Sequence, residues 1–377
     1  MKVVTILGTR PEIIRLSAVL KRLDKHLDHI IVHTGQNYDY ELNEVFFDDL
    51  GVRKPDHFMN VDTSSLGKVY GNILIKAEEI LKAEKPDAVL ILGDTNSSIA
   101  GIIAKRLQIP IFHMEAGNRS FDQNVPEETN RRIIDHIADF NLCYTEHARR
   151  HLISEALPHR RIYVTGSPMR EVLMDNIEKI KDSNAVQELG LEKGKYFLAS
   201  IHREENVDRR ESLGQILDAF ERLIAEFDIP IIVSTHPRTR KRLESLERDG
   251  LDERIRFMKP FGFIDYVNLQ MNSTCVISDS GTICEEASIL NFPAITPRNA
   301  IERPEALDTG SIIVTGLEAD TIVEAIRIQT SDDITRNNVE LPRDYQILNT
   351  SERVLKLIAG KAKLNYIWEN LKQNDLS

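Results

Sequence analysis

The chain has 377 residues, of which 41% are hydrophobic and 28% are charged, and its formal net charge is −11. This composition is that of an ordinary globular protein, and the length suits two α/β domains better than one core. The acidic balance argues against nucleic acid as a partner. No stretch approaches about 18 uninterrupted apolar residues, so no membrane span is predicted.

The three cysteines, Cys143, Cys275 and Cys284, form no CxxC pair. Their spacing predicts neither a zinc site nor a disulfide framework. The segment Met1–Leu7 runs directly into a Gly-Thr-Arg turn, which indicates a first buried strand rather than a signal peptide. A cytoplasmic protein without a structural metal is the resulting expectation.

Short apolar runs alternate with longer amphipathic stretches along the chain. The first series of predicted strands is Lys2–Leu7, Ile30–Thr34, Ala88–Leu92, Ile111–Met114, Leu142–Tyr144 and Ile162–Thr165. The second series is Tyr196–Ile201, Ile231–Ser234, Arg256–Met258, Cys275–Ser278, Ala294–Thr296 and Ile312–Val314. Helices are predicted between them, for example over Pro11–Leu23, Leu66–Lys82, Leu213–Phe227 and Thr282–Leu290. Near-continuous apolar strands are typical of parallel sheets with helices on both faces, so the fold class is α/β with two Rossmann-like, doubly wound domains.

The predicted domain boundary lies at Gly166-Ser167-Pro168, after the sixth strand. It separates an N-terminal domain over residues 1–167 from a C-terminal domain over residues 168–354. A last helix, about residues 355–377, is expected to pack back on the first domain. Two such domains facing a cleft would present the carboxyl ends of both sheets to it, and ligands bind at those ends. Candidate functional residues are therefore those that directly follow an apolar run.

The first predicted strand ends in Gly8-Thr9-Arg10-Pro11-Glu12. Pro11 suits the first turn of a helix, whose N-terminus favours an anion that Arg10 could also bind. An ordinary turn with an exposed arginine is an equally good interpretation. The turn is not a GxGxxG motif, and no such motif occurs elsewhere, so no dinucleotide cofactor is predicted.

A stronger signal follows the strand Cys275–Ser278 in the second domain. The turn Ser280-Gly281-Thr282 is expected to combine small side chains with free backbone N–H groups at a helix start, which is suited to a diphosphate. One helical turn later, Glu286 could accept hydrogen bonds from ribose hydroxyls. The alternative is a capped helix with a solvated carboxylate pair, and the position of the turn favours the ligand-binding interpretation.

Three carboxylates follow strand ends in the first domain: Asp94, Glu115 and Glu127, the last with Arg131 as its i,i+4 neighbour. A single acid in such a place is usually an N-cap or a loop charge. Three acids that converge would raise the pKa of at least one of them, which would make it a usable acid or base near neutral pH.

Two histidines follow strands of the second domain. His202 comes directly after a buried run and is a candidate for catalysis, whereas His236 suits a structural or nucleotide contact better. Most of the others are expected on solvated helical surfaces, among them His26, His29, His147 and His151.

Eight motifs in this order resemble the non-hydrolysing UDP-N-acetylglucosamine 2-epimerase family, which has a fold of the glycosyltransferase-B type. They are Gly8-Thr9-Arg10-Pro11-Glu12, Gly93-Asp94-Thr95, His113-Met114-Glu115-Ala116-Gly117, Pro126-Glu127-Glu128-Thr129-Asn130-Arg131, His202-Arg203-Glu204, Ser278-Asp279-Ser280-Gly281, Glu285-Glu286-Ala287 and Glu302-Arg303-Pro304-Glu305. The resemblance covers essentially the whole chain. It implies an enzyme that eliminates UDP from a UDP-N-acetylhexosamine to give a 2-acetamidoglucal and then re-adds UDP with inversion of carbon 2.

By the same resemblance, the catalytic positions are Asp94, Glu115, Glu127 and His202, with Arg131 close to the sugar. The expected substrate-binding residues are Arg10, Arg15, Ser280, Gly281, Thr282, Glu286, His236 and Arg303. No metal and no cofactor are implied, and a homodimer is expected.

Three stretches depart from the usual family pattern. Arg15 replaces a lysine, residues 33–40 replace a Gln-His-Arg stretch of an allosteric site, and Asn118–Asn124 replaces a Leu-Arg-Thr type loop. These variants are similar to the branch that makes UDP-N-acetyl-L-fucosamine for capsule or O-antigen. The substrate is therefore either UDP-N-acetylglucosamine or UDP-N-acetyl-L-pneumosamine.

Other activities suit parts of the same pattern. A glycosyltransferase of the same fold would use the same diphosphate turn, and a hydrolysing epimerase differs only in whether water captures the glucal. A nucleotide-sugar sensor without turnover would not need the acids. The full set of acids together with His202 favours the epimerase.

Overall fold

The computed structural model describes residues 1–35, 46–246, 250–331 and 340–369. Two parallel sheets organise the chain. Strands of the first sheet are β1 (Lys2–Leu7), β2 (Asp28–His33), β3 (His57–Phe58), β4 (Ala88–Leu92), β5 (Ile111–Met114), β6 (Phe140–Cys143) and β7 (Ile162–Val164). Strands of the second sheet are β8 (Phe197–Ser200), β9 (Ile231–Ser234), β10 (Ile255–Met258), β11 (Cys275–Ser278), β12 (Ala294–Thr296) and β13 (Ile313–Val314).

Helices connect the strands of the first sheet. They are α1 (Arg10–His26), α2 (Leu66–Glu84), α3 (Ala100–Arg106), α4 (Glu127–Ile137), α5 (Glu146–Ser154) and α6 (Met169–Asp175). Those that follow are α7 (Ile177–Asp182), α8 (Ala185–Glu188), α9 (Glu204–Val207), α10 (Arg210–Phe227), α11 (Pro237–Glu244), α12 (Phe263–Asn272), α13 (Ile283–Leu290), α14 (Glu305–Asp308), α15 (Ala319–Thr330) and α16 (Thr350–Trp368). Most strand residues are buried, as expected where helices cover both faces of a sheet.

The two sheets have related strand orders. The order is β3-β2-β1-β4-β5-β6-β7 in the first and β10-β9-β8-β11-β12-β13 in the second. In each sheet, successive strands are added toward one edge and then, after a switch, toward the other edge. The switch lies between β1 and β4 in the first sheet and between β8 and β11 in the second. Such a reversal leaves a crevice at the carboxyl ends of the two strands, where doubly wound proteins bind ligands. The fold class predicted from the sequence is confirmed.

The chain forms two compact units, one of residues 1–175 with 347–377 and one of residues 176–346. The sequence predicted a boundary after Ser167, whereas α6 belongs to the first unit. Glu171 on α6 accepts hydrogen bonds from the N–H and hydroxyl groups of Ser351 at the start of α16, which ties the two helices together. Helix α16 also packs on α1 within this unit.

Trp368 ends α16 beside three cations. Arg160 Cζ and Lys361 Nζ each lie 5.2 Å from its ring centroid, and Arg161 Cζ lies 6.0 Å away. Arg161 also donates to the Asp139 carbonyl oxygen and to Asn365 Oδ1, at 2.9 and 3.0 Å. These contacts hold the end of α16 against the first sheet.

Two details differ from the sequence predictions. The two-residue strand β3 was not predicted, because His57 and Phe58 do not form an apolar run. His29 was expected on a solvated helical surface but is only 7% exposed on β2. Its Nε2 lies 2.8 Å from Thr5 Oγ1 and its Nδ1 lies 2.7 Å from Asp24 Oδ1, so the ring is a buried structural tie.

Candidate active site

In the first unit, Glu115 follows β5 in a left-handed backbone conformation with φ of 65°. This conformation is costly for a residue other than glycine and is typical of functional positions. Its Oε2 accepts a hydrogen bond from Arg15 Nη1 on α1, and both side chains are at most 10% exposed. A Cβ atom at Gly93 would lie 2.9 Å from Glu115 Oε2, so the carboxylate lies directly against the loop after β4.

A buried network holds the backbone beyond Glu115. The N–H group of Gly117 donates to both oxygens of Asp135, at 3.2 Å each. Asp135 also accepts from Arg119 Nη1 at 2.6 Å and lies 2.9 Å from His113 Nδ1. Arg119 is 2% exposed. Sequence reasoning missed this role of Arg119 and Asp135, because neither residue directly follows a predicted strand.

Asp94, after β4, is joined to α4. Arg131 on that helix donates to Asp94 Oδ2 and, at 2.7 Å, to Glu128 Oε2. Asn130 Nδ2 donates to the Asp94 carbonyl oxygen at 3.0 Å. Glu127 is the first residue of the same helix and is partly exposed. The helix therefore places Glu127 in the same unit as the Asp94–Arg131 pair.

The acids were expected to perturb one another as like charges. Glu115 and Asp94 instead each contact a guanidinium group, from Arg15 and Arg131 respectively. Arg10, at the start of α1, lies over the Phe46 ring with its Cζ 5.7 Å from the centroid.

In the second unit, His202 and Asp279 meet at the switch point. His202 Nδ1 lies 2.8 Å from Asp279 Oδ1, and the imidazole is 38% exposed whereas the carboxylate is fully buried. Burial acts to raise the pKa of the Asp279 carboxyl, but the facing His202 imidazole, the Arg203 N–H and the Asn206 amide outweigh it and lower that pKa to about 2. A buried carboxylate beside Nδ1 favours the proton on that nitrogen and leaves Nε2 for a ligand.

Two arginines cover the turn Ser280-Gly281-Thr282. A Cβ atom at Gly281 would lie 2.9 Å from Arg303 Nη1 and 3.4 Å from Arg203 Nη2. Arg303 Nε in turn lies 3.1 Å from the buried Glu285 Oε2. A larger residue at this position would displace the two guanidinium groups, and guanidinium groups over a turn at a helix start are suited to phosphate.

One expectation about this turn is corrected. The sequence suggested N–H groups without partners, but the N–H of Ser280 donates to Ser278 Oγ at 3.1 Å and that of Thr282 to Ser280 Oγ at 3.3 Å. The small hydroxyl side chains satisfy these donors locally. The guanidinium groups over Gly281 are therefore better suited to an anion than these two N–H groups.

Two further predicted residues lie in the same unit. Glu286 on α13 is 7% exposed and accepts from Gln270 Nε2 at 2.7 Å, which orients its carboxylate. The His236 ring, after β9, lies 6.5 Å from the His202 ring between centroids. Within the part of the chain that the structure describes, no group of three or more His, Cys, Asp or Glu side chains could hold a metal ion.

Each doubly wound sheet carries charged side chains at its switch point, acids paired with arginines in the first unit and His202 with Asp279 in the second, which is an arrangement suited to an α/β enzyme with an anionic ligand. The model of the family described as UDP-N-acetylglucosamine 2-epimerase matches residues 21–359. The chain belongs to this family and is an enzyme of the isomerase class.

Three relatives illustrate the similarity. The structure of a UDP-N-acetylglucosamine 2-epimerase from Rickettsia bellii is 48% identical, with a TM-score of 0.91 over 98% of this chain and 99% of that one. A Methanocaldococcus jannaschii UDP-GlcNAc 2-epimerase, in complex with UDP-GlcNAc and UDP, is 34% identical, with a TM-score of 0.90 over 96% of this chain and 100% of that one. A UDP-2,3-diacetamido-2,3-dideoxy-D-glucuronate 2-epimerase from Pseudomonas aeruginosa is 34% identical over 87% of this chain and 92% of the relative.

Proposed function

We propose that the protein inverts carbon 2 of a UDP-N-acetylhexosamine by eliminating UDP and adding it back. The observation that carries this proposal is the pairing of acids with arginines at one switch point and of His202 with Asp279 at the other. Bound UDP-GlcNAc in the Methanocaldococcus jannaschii relative supports a substrate of this class. Because the Pseudomonas aeruginosa relative is described as acting on a different sugar, family membership alone does not choose the hexosamine.

In this proposal the second unit holds the nucleotide. Arg203 and Arg303, which cover Gly281, would neutralise the diphosphate, and Glu286 would accept hydrogen bonds from the ribose hydroxyls. Positioning through the diphosphate aligns the sugar for reaction and lowers the entropic part of the barrier.

The acids of the first unit would carry out the proton transfers. A carboxylate takes the proton from carbon 2, the C–H electron pair becomes a C1=C2 double bond, and the C1–O bond breaks with its pair going to UDP. On return, UDP oxygen adds to carbon 1 and a proton reaches carbon 2 from the opposite face. Asp94, Glu115 and Glu127 are the candidates for the two proton-transfer roles, and Arg131 would lie beside the sugar.

His202 is suited to the departing UDP. With Asp279 beside the Nδ1 proton, Nε2 carries a second proton only when the ring is an imidazolium, and that N–H would stabilise negative charge on the leaving oxygen. Without such stabilisation, UDP would leave carbon 1 more slowly than the proton returns to carbon 2.

The experiment is incubation with a panel of UDP-N-acetylhexosamines in D₂O, followed by NMR of the products. The proposal expects a C2 epimer that carries one deuterium at carbon 2 and a UDP group at carbon 1. Epimer without label at carbon 2 would contradict deprotonation there. Release of free N-acetylmannosamine would identify a hydrolysing epimerase, and transfer of the sugar to an acceptor would identify a glycosyltransferase.

The same panel addresses the sugar. The departures of Arg15 and Asn118–Asn124 from the usual pattern favour UDP-N-acetyl-L-pneumosamine, with UDP-N-acetyl-L-fucosamine as product for capsule or O-antigen. The residues at 36–40 that contribute to this interpretation lie outside the described residues. A larger kcat/KM for UDP-N-acetylglucosamine would reject the L-sugar. A homodimer and a cytoplasmic location stay predictions, and none of the helices within the described ranges is long and apolar enough to cross a membrane.

A further inference from the structure

Glu12 is a buried acid at the first switch point to which the proposed mechanism gives no role. It lies on the first turn of α1 and is completely buried. Its Oε2 accepts from the Gly8 N–H at 3.1 Å and from the Thr9 hydroxyl at 2.7 Å, both in the loop after β1. Its Oε1 accepts from the Thr95 hydroxyl at 3.1 Å, in the loop after β4.

We infer that Glu12 is a positioning residue whose carboxylate joins the loops after β1 and β4, and that protonation of Glu12 uncouples the two loops and slows the reaction. Arg10 and Arg15 follow the first loop, and Asp94 directly precedes Thr95 in the second. The bridge therefore fixes the Arg15–Glu115 pair relative to the Asp94–Arg131 pair. This inference rests on the proposed function for its kinetic consequence.

The hydrogen-bond directions explain why the bridge needs the ionised form. A proton on Oε2 would face two donors, the Gly8 N–H and the Thr9 hydroxyl. A proton on Oε1 would face the Thr95 hydroxyl, which would have to turn its own proton elsewhere. Thr95 Oγ1 already accepts from the Ser97 N–H at 3.3 Å, as the N-cap of the 3₁₀ helix Asn96–Ile99. A carboxylate accepts all three bonds without such a conflict.

Burial brings the titration of Glu12 close to neutral pH. Burial raises its pKa to about 7, although the hydrogen bonds from Thr9, Gly8 and Thr95 and the charge of Arg15 act to lower it. Arg15 is the charged group on α1 itself, Asp94 is the acid in the loop after β4, and Glu115, which Arg15 contacts, is the acid after β5. A proton would thus enter or leave the bridge near neutral pH.

Ionisation of Glu12 also affects folding, with a defined sign. Because its pKa is higher in the folded chain than the ordinary 4.5, the folded state binds more protons between about pH 4.5 and pH 7. The contribution of Glu12 to stability therefore falls as pH rises through this window. We expect activity to rise over the same pH range in which the stability contribution of Glu12 falls. If Glu12 contributed to stability alone, its ionisation would change stability without raising activity.

The test compares the wild-type protein with Glu12→Gln in full pH profiles of kcat and of the thermal midpoint. At pH 8 the variant should have kcat reduced by about 10²-fold, as expected when reacting groups are misplaced. We expect kcat of wild type to fall on acidification near pH 7, and the profile of the variant should lack this fall. Its thermal midpoint should depend less on pH between 5 and 8 than that of wild type.

Glu171→Gln is the matched control, because Glu171 is another buried carboxylate of the first unit that accepts two hydrogen bonds, both from Ser351. It should lower the thermal midpoint but leave the shape of the kcat profile unchanged. Thr95→Val should reproduce the Glu12→Gln profile, Thr95→Ser should restore the wild-type shape, and the double variant Glu12→Gln/Thr95→Val should be no worse than either single one.

A Glu12→Gln variant that keeps the wild-type pH profile of kcat, or loses activity equally at all pH values, would overturn the inference. The wild-type protein is measured with UDP-N-acetylglucosamine and UDP-N-acetyl-L-pneumosamine in the same assay. Absence of wild-type turnover would count against the proposed function, whereas wild-type turnover with an unaltered variant profile would count against Glu12 alone. The pH dependence of the thermal midpoint tests the bridge without any turnover.

Discussion

The imidazole of His202 lies 2.8 Å from the buried carboxylate of Asp279, measured from Nδ1 to Oδ1, at the ends of the neighbouring strands β8 and β11. Asp279 also accepts from the N–H groups of His202 and Arg203, at 3.0 and 2.9 Å. One carboxylate therefore fixes both the backbone that carries His202 and the side chain itself.

Asp279→Asn keeps the size of the side chain and removes its negative charge. It should lower kcat by roughly 10²-fold, because His202 loses the carboxylate that orients its ring. The wild-type stability should also fall by about 2 kcal/mol as pH drops, since a lowered pKa contributes stability above the ordinary 3.8 that is lost on the way to about 2. The variant should lack this fall, measured by urea unfolding between pH 2 and 5. Unchanged turnover would show that His202 does not need Asp279.

Gly281→Val tests the nucleotide turn. Its Cβ would lie 2.9 Å from Arg303 Nη1, which donates to the Gly281 carbonyl oxygen, so the Arg303 guanidinium would have to shift from its place over the turn. UDP affinity should fall by about tenfold or more, since charge-assisted bonds to phosphate are lost. Calorimetry with UDP gives the affinity. Gly360→Val is the control, because nothing lies within 4 Å of a Cβ atom at Gly360, and this variant should bind UDP like wild type. Equal affinities for both variants would place the diphosphate elsewhere.

The sequence predicted the strands that carry the site, because β1, β4, β5, β8 and β11 are nearly continuous apolar runs with polar residues at or just after their ends. It could not predict which side chains satisfy one another. In the sequence, Asp279 and Glu12 are identified only as members of motifs. Their roles depend on the proximity of β8 to β11 and of β1 to β4. Strand order sets that proximity. The residues of a connection between two parallel strands do not show which strands become neighbours in the sheet.

The burial of Arg119 is a second feature that the sequence alone did not predict. An arginine in a polar loop is ordinarily solvated, yet this one is 2% exposed between Asp135 and Glu155. Its burial depends on partners 16 and 36 residues further along the chain. Local pattern gives no signal for such a pairing.

Arg161→Ala tests the attachment of α16. Arg161 is largely buried and bonds to Asn365 and Glu369 of the helix and to the Asp139 carbonyl oxygen. Its loss should lower the free energy of unfolding by about 3 kcal/mol, because it removes a cation that lies 3.5 Å from the buried Asp139 carboxylate. Arg160→Ala removes an exposed cation from the same Trp368 ring and should cost only about 0.5–1 kcal/mol. Urea unfolding gives both values, and similar values would mean that Trp368 rather than Arg161 holds the helix.

Turnover should survive exhaustive EDTA treatment and should need no added NAD. The reason is chemical: the proposed steps transfer protons and UDP only, and the acids and His202 provide for both. The measurement is the initial rate before and after dialysis against EDTA. A rate that is lost and then restored by a divalent ion would reject the mechanism.

Glu115→Gln tests the proton chemistry most directly. The amide keeps the shape of the side chain at a strained position, where φ is 65°, and can still accept a hydrogen bond from Arg15. It cannot take a proton from carbon 2, so kcat should fall by ~10²–10⁴-fold while UDP affinity, a property of the second unit in this proposal, stays unchanged.

The control is Glu78→Gln, which removes an exposed carboxylate that pairs with Lys82 on α2 and should leave kcat unchanged. If Glu115 is the base for carbon 2, deuterium exchange at that carbon should slow together with epimerisation. If it acts only on the return step, exchange should persist while epimer formation slows, because the proton still leaves carbon 2 and comes back on the same face. Wild-type rates for both exchange and epimerisation in Glu115→Gln would remove Glu115 from the mechanism and leave the proton transfers to Asp94 and Glu127.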